Sequence, residues 1–470
     1  MNTYADEKSL KNAIKGVLEI DKKGNIKIVK EKKLREKLID ELVWNSVFGK
    51  EEIKNIARFI IRATAKKLNL GPATVYDVYK ARGNGEYSNL TVPAINIRGL
   101  TYDVARAVFR AAKKSNSALI IFEIARSEIG YTDQRPSEYV AVVLGAAIKE
   151  NYNYPIFIQG DHYQVNGKKY LENPEKEMQG AKDLIRESIE AGFYNIDLDT
   201  STLVDLTKQT IKEQQKLNYE IASELTKFIR GIEPKGVTVA LGGEIGEIGG
   251  KNSTVEELRA YLDGYFESIG NLKGITKVAV QTGTTHGGIP LPDGTIAKVK
   301  LDFDTLEKLG KVARDEYHLA GCVQHGASTL PAELFDKFPK VETAEIHLAT
   351  EFQNMIFDSP LFPQDLKNEI TEYLFKNCIS EKKEKDTDQQ FIYKTRKKAF
   401  GPFKQKIWSL PENTRNTISS ELEKKFSFLF EKLNVVNTDK IVKKYVKLVD
   451  VPIKPPSTSG KESEIFEGSD

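Results

Sequence analysis

The stretch KVAVQTGTTHGG, Lys277 to Gly288, begins as a short β-prone run and ends in a Gly/Thr turn built around one histidine. Seven other stretches share that plan: TVPAINIRG (91–99), ALIIFEIA (118–125), PIFIQGDH (155–162), NIDLDTS (195–201), VTVALGGEIG (237–246), GCVQHGAS (321–328) and TAEIHLAT (343–350). Between them lie segments with helical patterning, such as TYDVARAVFRAAKKSN, PEKEMQGAKDLIRESIEAG and DFDTLEKLGKVARDEY. Strand alternating with helix eight times predicts an α/β fold, a (β/α)8 TIM barrel over 89–365. The rival, a doubly wound open sheet, needs no count of eight. Its phosphate loop would follow the first strand, where NIRGLT matches GxGxxG poorly.

Two additions flank the barrel. Residues 1–88 read as a helical N-terminal extension and 366–452 as a helical, charged, aromatic-containing C-terminal extension. Residues 453–470 read as a disordered tail. Neither extension carries a chemistry-bearing motif, so packing or assembly is the expectation for both. Lys and Arg number 70 against 67 Asp and Glu, which gives no reason to propose a nucleic-acid partner. No apolar run approaches the roughly 18–20 residues of a membrane span. The polar N-terminus lacks a secretory signal, and two cysteines, Cys322 and Cys378, make no disulfide framework. A cytoplasmic location is therefore expected.

The chain has five histidines, and four of them, His162, His286, His325 and His347, fall at the ends of the third, sixth, seventh and eighth proposed strands. In a (β/α)8 barrel those ends share one rim, where active sites are built. One such histidine alone reads as a hydrogen-bonded structural residue. Several at one mouth point to a transition metal, and imidazole suits zinc, cobalt and iron alike. Carboxylates gather at the same rim: Asp161, Asp197, Asp199, Glu244 and Glu247. Each could be a ligand, an orienter of imidazole, an acid/base group or a solvated cap. Neighbours on a strand point opposite ways, so Asp161 and His162 can share a site only if their strand ends there. Gly287-Gly288 follow His286, and Gly326-Ala327-Ser328-Thr329 follow His325. Bare backbone N–H groups and small hydroxyls beside candidate ligands suit a phosphate; the alternative is a pair of tight turns.

Over roughly 90–360 these motifs, in order, resemble the class II (zinc-dependent) ketose-bisphosphate aldolases of the fructose- and tagatose-bisphosphate type. VPAINI resembles the family's first strand, with Asn96 at its asparagine, and QGDH resembles its Asp-His pair. NIDLD, GEIGEIGG, GTTHGG, LDFDTLEKL, QHGAS and IHLAT resemble its later motifs. The resemblance implies one zinc ion per chain on His162, His286 and His325, with Glu244 and Asp197 close to it. It implies Asp161 as general acid/base, and Gly287, Gly326, Ser328 and Thr350 gripping a phosphate. The implied reaction is reversible cleavage of a ketose (bis)phosphate, such as fructose 1,6-bisphosphate, to dihydroxyacetone phosphate and an aldehyde through a zinc-stabilised enediolate. The implied partners are a phosphorylated sugar and further copies of the chain in a homo-oligomer.

The departures are equally specific. His347 stands where the family has an asparagine near the substrate, Ala125 where a serine is usual, and Gly242 where a glutamate is usual. Lys251-Asn252-Ser253 replace the acidic pair of the mobile loop. They leave open a metal-dependent sugar or sugar-acid epimerase on the same barrel, or a non-catalytic aldolase-like subunit. A Schiff-base aldolase is disfavoured, because none of the eight runs is expected to turn a lysine inward near its rim.

Overall fold

The computed structural model describes residues 1–21, 24–246, 251–283 and 301–455. Eight parallel strands close into a barrel: β1 (Val92–Asn96), β2 (Ile121–Ala125), β3 (Ile156–Gln164), β4 (Asn195–Asp199), β5 (Ala240–Glu244), β6 (Lys277–Ala279), β7 (Cys322–Gln324) and β8 (Glu345–Leu348). Each pairs with the next, and β8 pairs back onto β1 with Glu345 opposite Val92 and His347 opposite Ala94. The expected fold is the one observed.

Helices wrap the barrel: α1 (Thr101–Ser115), α2 (Pro136–Lys149), α3 (Pro174–Ala191), α4 (Ile211–Ile232), α5 (Val255–Ile269), α6 (Phe303–Tyr317), the short α7 (Lys337–Lys340) and α8 (Thr350–Phe357). Their ends are written locally. Pro136 and Pro174 open α2 and α3, where a missing N–H costs nothing. Thr210 with Glu213, and Thr254 with Glu257, form reciprocal capping boxes on α4 and α5. The fifth histidine, His318, ends α6 in a left-handed conformation (φ 55°) on the surface, away from the rim.

The N-terminal segment is mostly helical, as its patterning predicts, with two small β additions. Leu18–Ile20 and Ile26–Ile28 form a hairpin, and Pro72–Ala73 pairs in parallel with the start of β3. Helices Ile39–Phe48 and Glu51–Lys67 lie on α2, where Val43 packs flush on Gly145. Tyr76–Gly83 reaches the barrel bottom, and Tyr79 is fully buried there. In the C-terminal segment, helix Glu412–Lys432 lies along α1. It buries Ile418, Leu422, Phe426, Leu429 and Phe430. Residues 453–455 of the expected tail have no regular structure, and the rest lies outside the described residues.

Candidate active site

The Asp161–His162 problem is solved inside the strand rather than at its end. β3 runs on to Gln164, but its register against β4 shifts between Gly160 and Tyr163. His162 takes φ 39° within this bulge, and both Asp161 and His162 face one cavity. Gly160 is required, since a side chain there would run into the Tyr163 ring. A non-glycine residue held at positive φ is the kind of local strain that collects at functional sites.

His162 Nδ1 stands 3.1 Å from Glu244 Oε2 and 3.3 Å from Asp199 Oδ2. His325, just beyond β7, places Nδ1 3.5 Å from Glu244 Oε1, and its ring centroid is 4.2 Å from that of His162. Ligand atoms of His162, Glu244 and His325 all lie within 4.8 Å of one another. Two imidazoles and a carboxylate are a nitrogen–oxygen donor set that fits zinc or a similar ion. Burial and the neighbouring imidazoles hold the His325 pKa well below its usual value, toward the neutral form that a metal needs, whereas at His162 burial is outweighed by Asp161 and Glu244, which hold its pKa above the usual value. His286, Gly287 and Glu247 lie outside the described residues.

Asp197 does not join this group. Its Oδ1 lies 2.9 Å from Lys277 Nζ, inside the barrel, and it is Asp199 that faces His162. β6 does turn a lysine inward, Lys277, but at the start of the strand rather than near the rim. Its ammonium bonds Gln159 Oε1 at 2.8 Å, Asp197 and Glu345. Burial alone would lower its pKa; Asp197 and Glu345 hold it above the usual lysine value. A lysine so held is charged, the wrong form for Schiff-base attack.

Asp161 is gripped on both oxygens. Oδ1 lies 2.9 Å from His347 Nδ1, and Asn96 Nδ2 donates to Oδ2 at 3.5 Å. Burial would raise its pKa, but His162 and His347 hold it well below the usual carboxylate range. His347 is itself held above the usual imidazole value: burial opposes this, while Glu123, Asp161 and Glu345 favour the charged ring. Glu123 goes the other way, raised first by burial and then by Asp161.

The cavity measures about 410 Å³. Asn96, Asp161, His162, Glu244, Gly326, Ser328, His347 and Thr350 all line it, so the proposed phosphate-side residues face the same space as the donors His162 and Glu244. Ser328 and Thr350 are buried, and Thr350 opens α8. Sequence reasoning missed the cavity's cationic wall, which includes Arg98, Arg126, Lys169 and Lys397. Arg98 and Arg126 are paired with Glu128 and Glu177. Lys397 comes from the C-terminal segment, where no motif marked it; only the fold brings it to the rim. Glu123 and Glu345 were also missed, although a charged residue within an apolar strand was the available signal.

Fold and donor set define a (β/α)8 protein with a candidate metal centre at the C-terminal rim. The family model for class-II fructose-bisphosphate aldolases matches residues 80–411, and the chain belongs to that family. Comparison with curated proteins gives no match. Among solved structures, one described as a probable tagatose 6-phosphate kinase from Sinorhizobium meliloti aligns with TM-score 0.50 and 16% identity over 75% of this chain and 99% of that one. The fructose-bisphosphate aldolase of Campylobacter jejuni aligns with TM-score 0.45 and 18% identity over 79% of this chain and 98% of that one. At these identities the likeness is one of fold. No helix among the described residues is long and apolar enough to cross a membrane.

Proposed function

We propose that this member of the family is a metal-dependent aldolase that reversibly cleaves a phosphorylated ketose, with fructose 1,6-bisphosphate as the first substrate to test. The observation that carries the reading is the donor set of His162, Glu244 and His325, with the Asp161 carboxylate 3.7 Å from His162. His286 is proposed as a further ligand, and zinc as the ion. When bound, the metal supplies a Lewis acid that polarises the substrate ketone and offsets the charge developing there. Asp161, held in its ionised form, accepts the proton of the substrate hydroxyl as the carbon–carbon bond breaks, and returns it in the reverse direction. Gly326, Ser328 and Thr350, with Gly287, orient the phosphate, and Asn96 steadies Asp161. Ala125 and His347, two departures from the family pattern, line the same cavity, so other ketose phosphates are the next substrates to test.

The test is coupled-enzyme detection of triose phosphate from fructose 1,6-bisphosphate on metal-assayed protein, with and without EDTA. The expected result is cleavage that EDTA abolishes and zinc restores. Asp161→Ala is expected to lower kcat about 10²–10⁴-fold, the usual worth of a positioned acid/base. No cleavage with one metal bound per chain would remove this substrate and move the assay to other ketose phosphates and uronates. Cleavage that survives EDTA would refute the metal mechanism.

A further inference from the structure

His347 does more than line the cavity. Its Nδ1 meets Asp161 Oδ1 at 2.9 Å, and its Nε2 meets Glu345 Oε1 at 2.7 Å on the opposite side of the ring. Glu345 and His347 alternate onto the same inward face of β8. Glu345 is itself immobilised. It accepts from the Tyr79 hydroxyl, from the Lys277 ammonium and from Gln159 Nε2 at 2.9 Å, and it is wholly buried. Two other carboxylates face the ring at longer range, Glu123 at 3.4 Å from Nδ1 and Asp197 at 3.6 Å from Nε2. A continuous line of contacts therefore runs from the cavity, through one imidazole, to a carboxylate anchored at the barrel floor by the N-terminal segment.

We propose that His347 is a positioning residue for Asp161, and that Glu345, anchored by Tyr79 and Lys277, holds His347 in that task. The role rests on the proposed reading of Asp161 as the acid/base group. An asparagine at position 347 could reach Asp161 but could not also span to Glu345, so only the imidazole ties the acid to the floor. Groups that orient a metal's ligands through one hydrogen bond are worth about 10–100-fold in affinity or activity, and a contribution of that order is expected for the orientation of Asp161.

The experiment compares Glu345→Gln, His347→Asn and His347→Gln with wild type on fructose 1,6-bisphosphate, with metal content and thermal stability measured in parallel. Histidine ring ¹⁵N–¹H spectra are recorded for each variant and for Asp161→Asn. Glu345→Gln is expected to lower kcat at least about tenfold, with KM within about twofold and metal content unchanged. The double variant Glu345→Gln/His347→Asn should be no slower than His347→Asn alone, since both break one line. If Glu345→Gln fails to fold, the two His347 variants decide. His347→Asn, whose amide N–H stands where Nδ1 stands, should keep more kcat than His347→Gln. The spectra do not depend on the substrate: Asp161→Asn should move the His347 Nδ1 resonance, and Glu345→Gln should move both ring nitrogens. If the wild type cleaves nothing, the proposed substrate fails, and the spectra still decide the clamp. Wild-type kcat in Glu345→Gln, a raised KM at full kcat in His347→Gln, or a His347 resonance indifferent to Asp161→Asn would each overturn the proposal.

Discussion

At residue 242 a departure from the family pattern has a physical explanation in the barrel interior. A Cβ on Gly242 would collide with the Asp197 carboxylate and stand 3.0 Å from Lys277 Cε. The glycine leaves the room that the Asp197–Lys277 ion pair fills. Gly242→Glu is therefore expected to add a further carboxylate beside Asp197 and Glu345 in space already filled, and to lower the melting temperature. A ΔΔG of about 1–3 kcal/mol from overpacking alone is the floor for that loss. Thermal unfolding of the variant checks it. Cys322 offers a second test at this scale. Burial pushes its thiol up to about 12. At pH 8 the thiolate fraction is then roughly 10⁻⁴, and the thiolate is the reactive form. A thiol-reactive dye should leave Cys322 unlabelled in the folded protein at pH 8 and label it on unfolding. The folded-state rate should climb as pH rises toward 12, since a raised thiol pKa delays ionisation. Prompt labelling at pH 8 would refute the buried, neutral thiol.

Among the elements, the strands follow from composition while their ends do not. All eight β-prone runs are strands in the structure, and in several of them the apolar residues alternate with inward polar ones such as Asp197, Lys277, Glu345 and His347. The β3 bulge was not legible, because a period of two holds on either side of it and only the tertiary register against β4 shows the shift. It decides the site, since it turns Asp161 and His162 to one cavity. Gly160→Val should destroy that arrangement by forcing a side chain into the Tyr163 ring. The expected outcome is protein that has lost bound metal and ketose-phosphate cleavage together, read by metal assay. A variant that keeps its metal would show that the bulge tolerates a side chain.

For the whole molecule, the question is whether the terminal segments are appendages. Arg58 of the N-terminal segment and Lys404 of the C-terminal segment both pair with Glu138 on α2, and all three side chains are buried. Removing one partner of such a cluster leaves uncompensated charge and costs about 3–5 kcal/mol. Glu138→Ala should therefore lower stability by that amount, read by denaturant unfolding. Helix Glu412–Lys432 buries five large apolar side chains against the barrel. At about 1.5–3 kcal/mol each, they contribute as much as the whole net stability of a typical protein. We propose that the segments fold with the barrel as one unit. A chain cut at residue 365 should fail to fold, and the full chain should unfold in a single transition. A soluble, folded 89–365 fragment would contradict this.

The sequence by itself determined the barrel. Eight β-prone runs at helix-length spacing predict one closed arrangement, and strand ends in such a barrel share a rim, so strand order alone sends the histidines of β3, β7 and β8 to one mouth, where their rings do meet. Tertiary structure alone decided which groups touch. Asp197 and Asp199 look alike in NIDLD, yet the first is taken by Lys277 and the second faces His162. Lys277, Glu345 and Tyr79 come from β6, β8 and the N-terminal segment, and nothing local records that they meet beneath His347. Lys397 reaches the cavity from a segment with no motif of its own. The physical reason is the same throughout. Periodicity is set by each residue's neighbours in the chain, whereas charge pairing inside a closed barrel is set by the register between strands that are far apart in sequence.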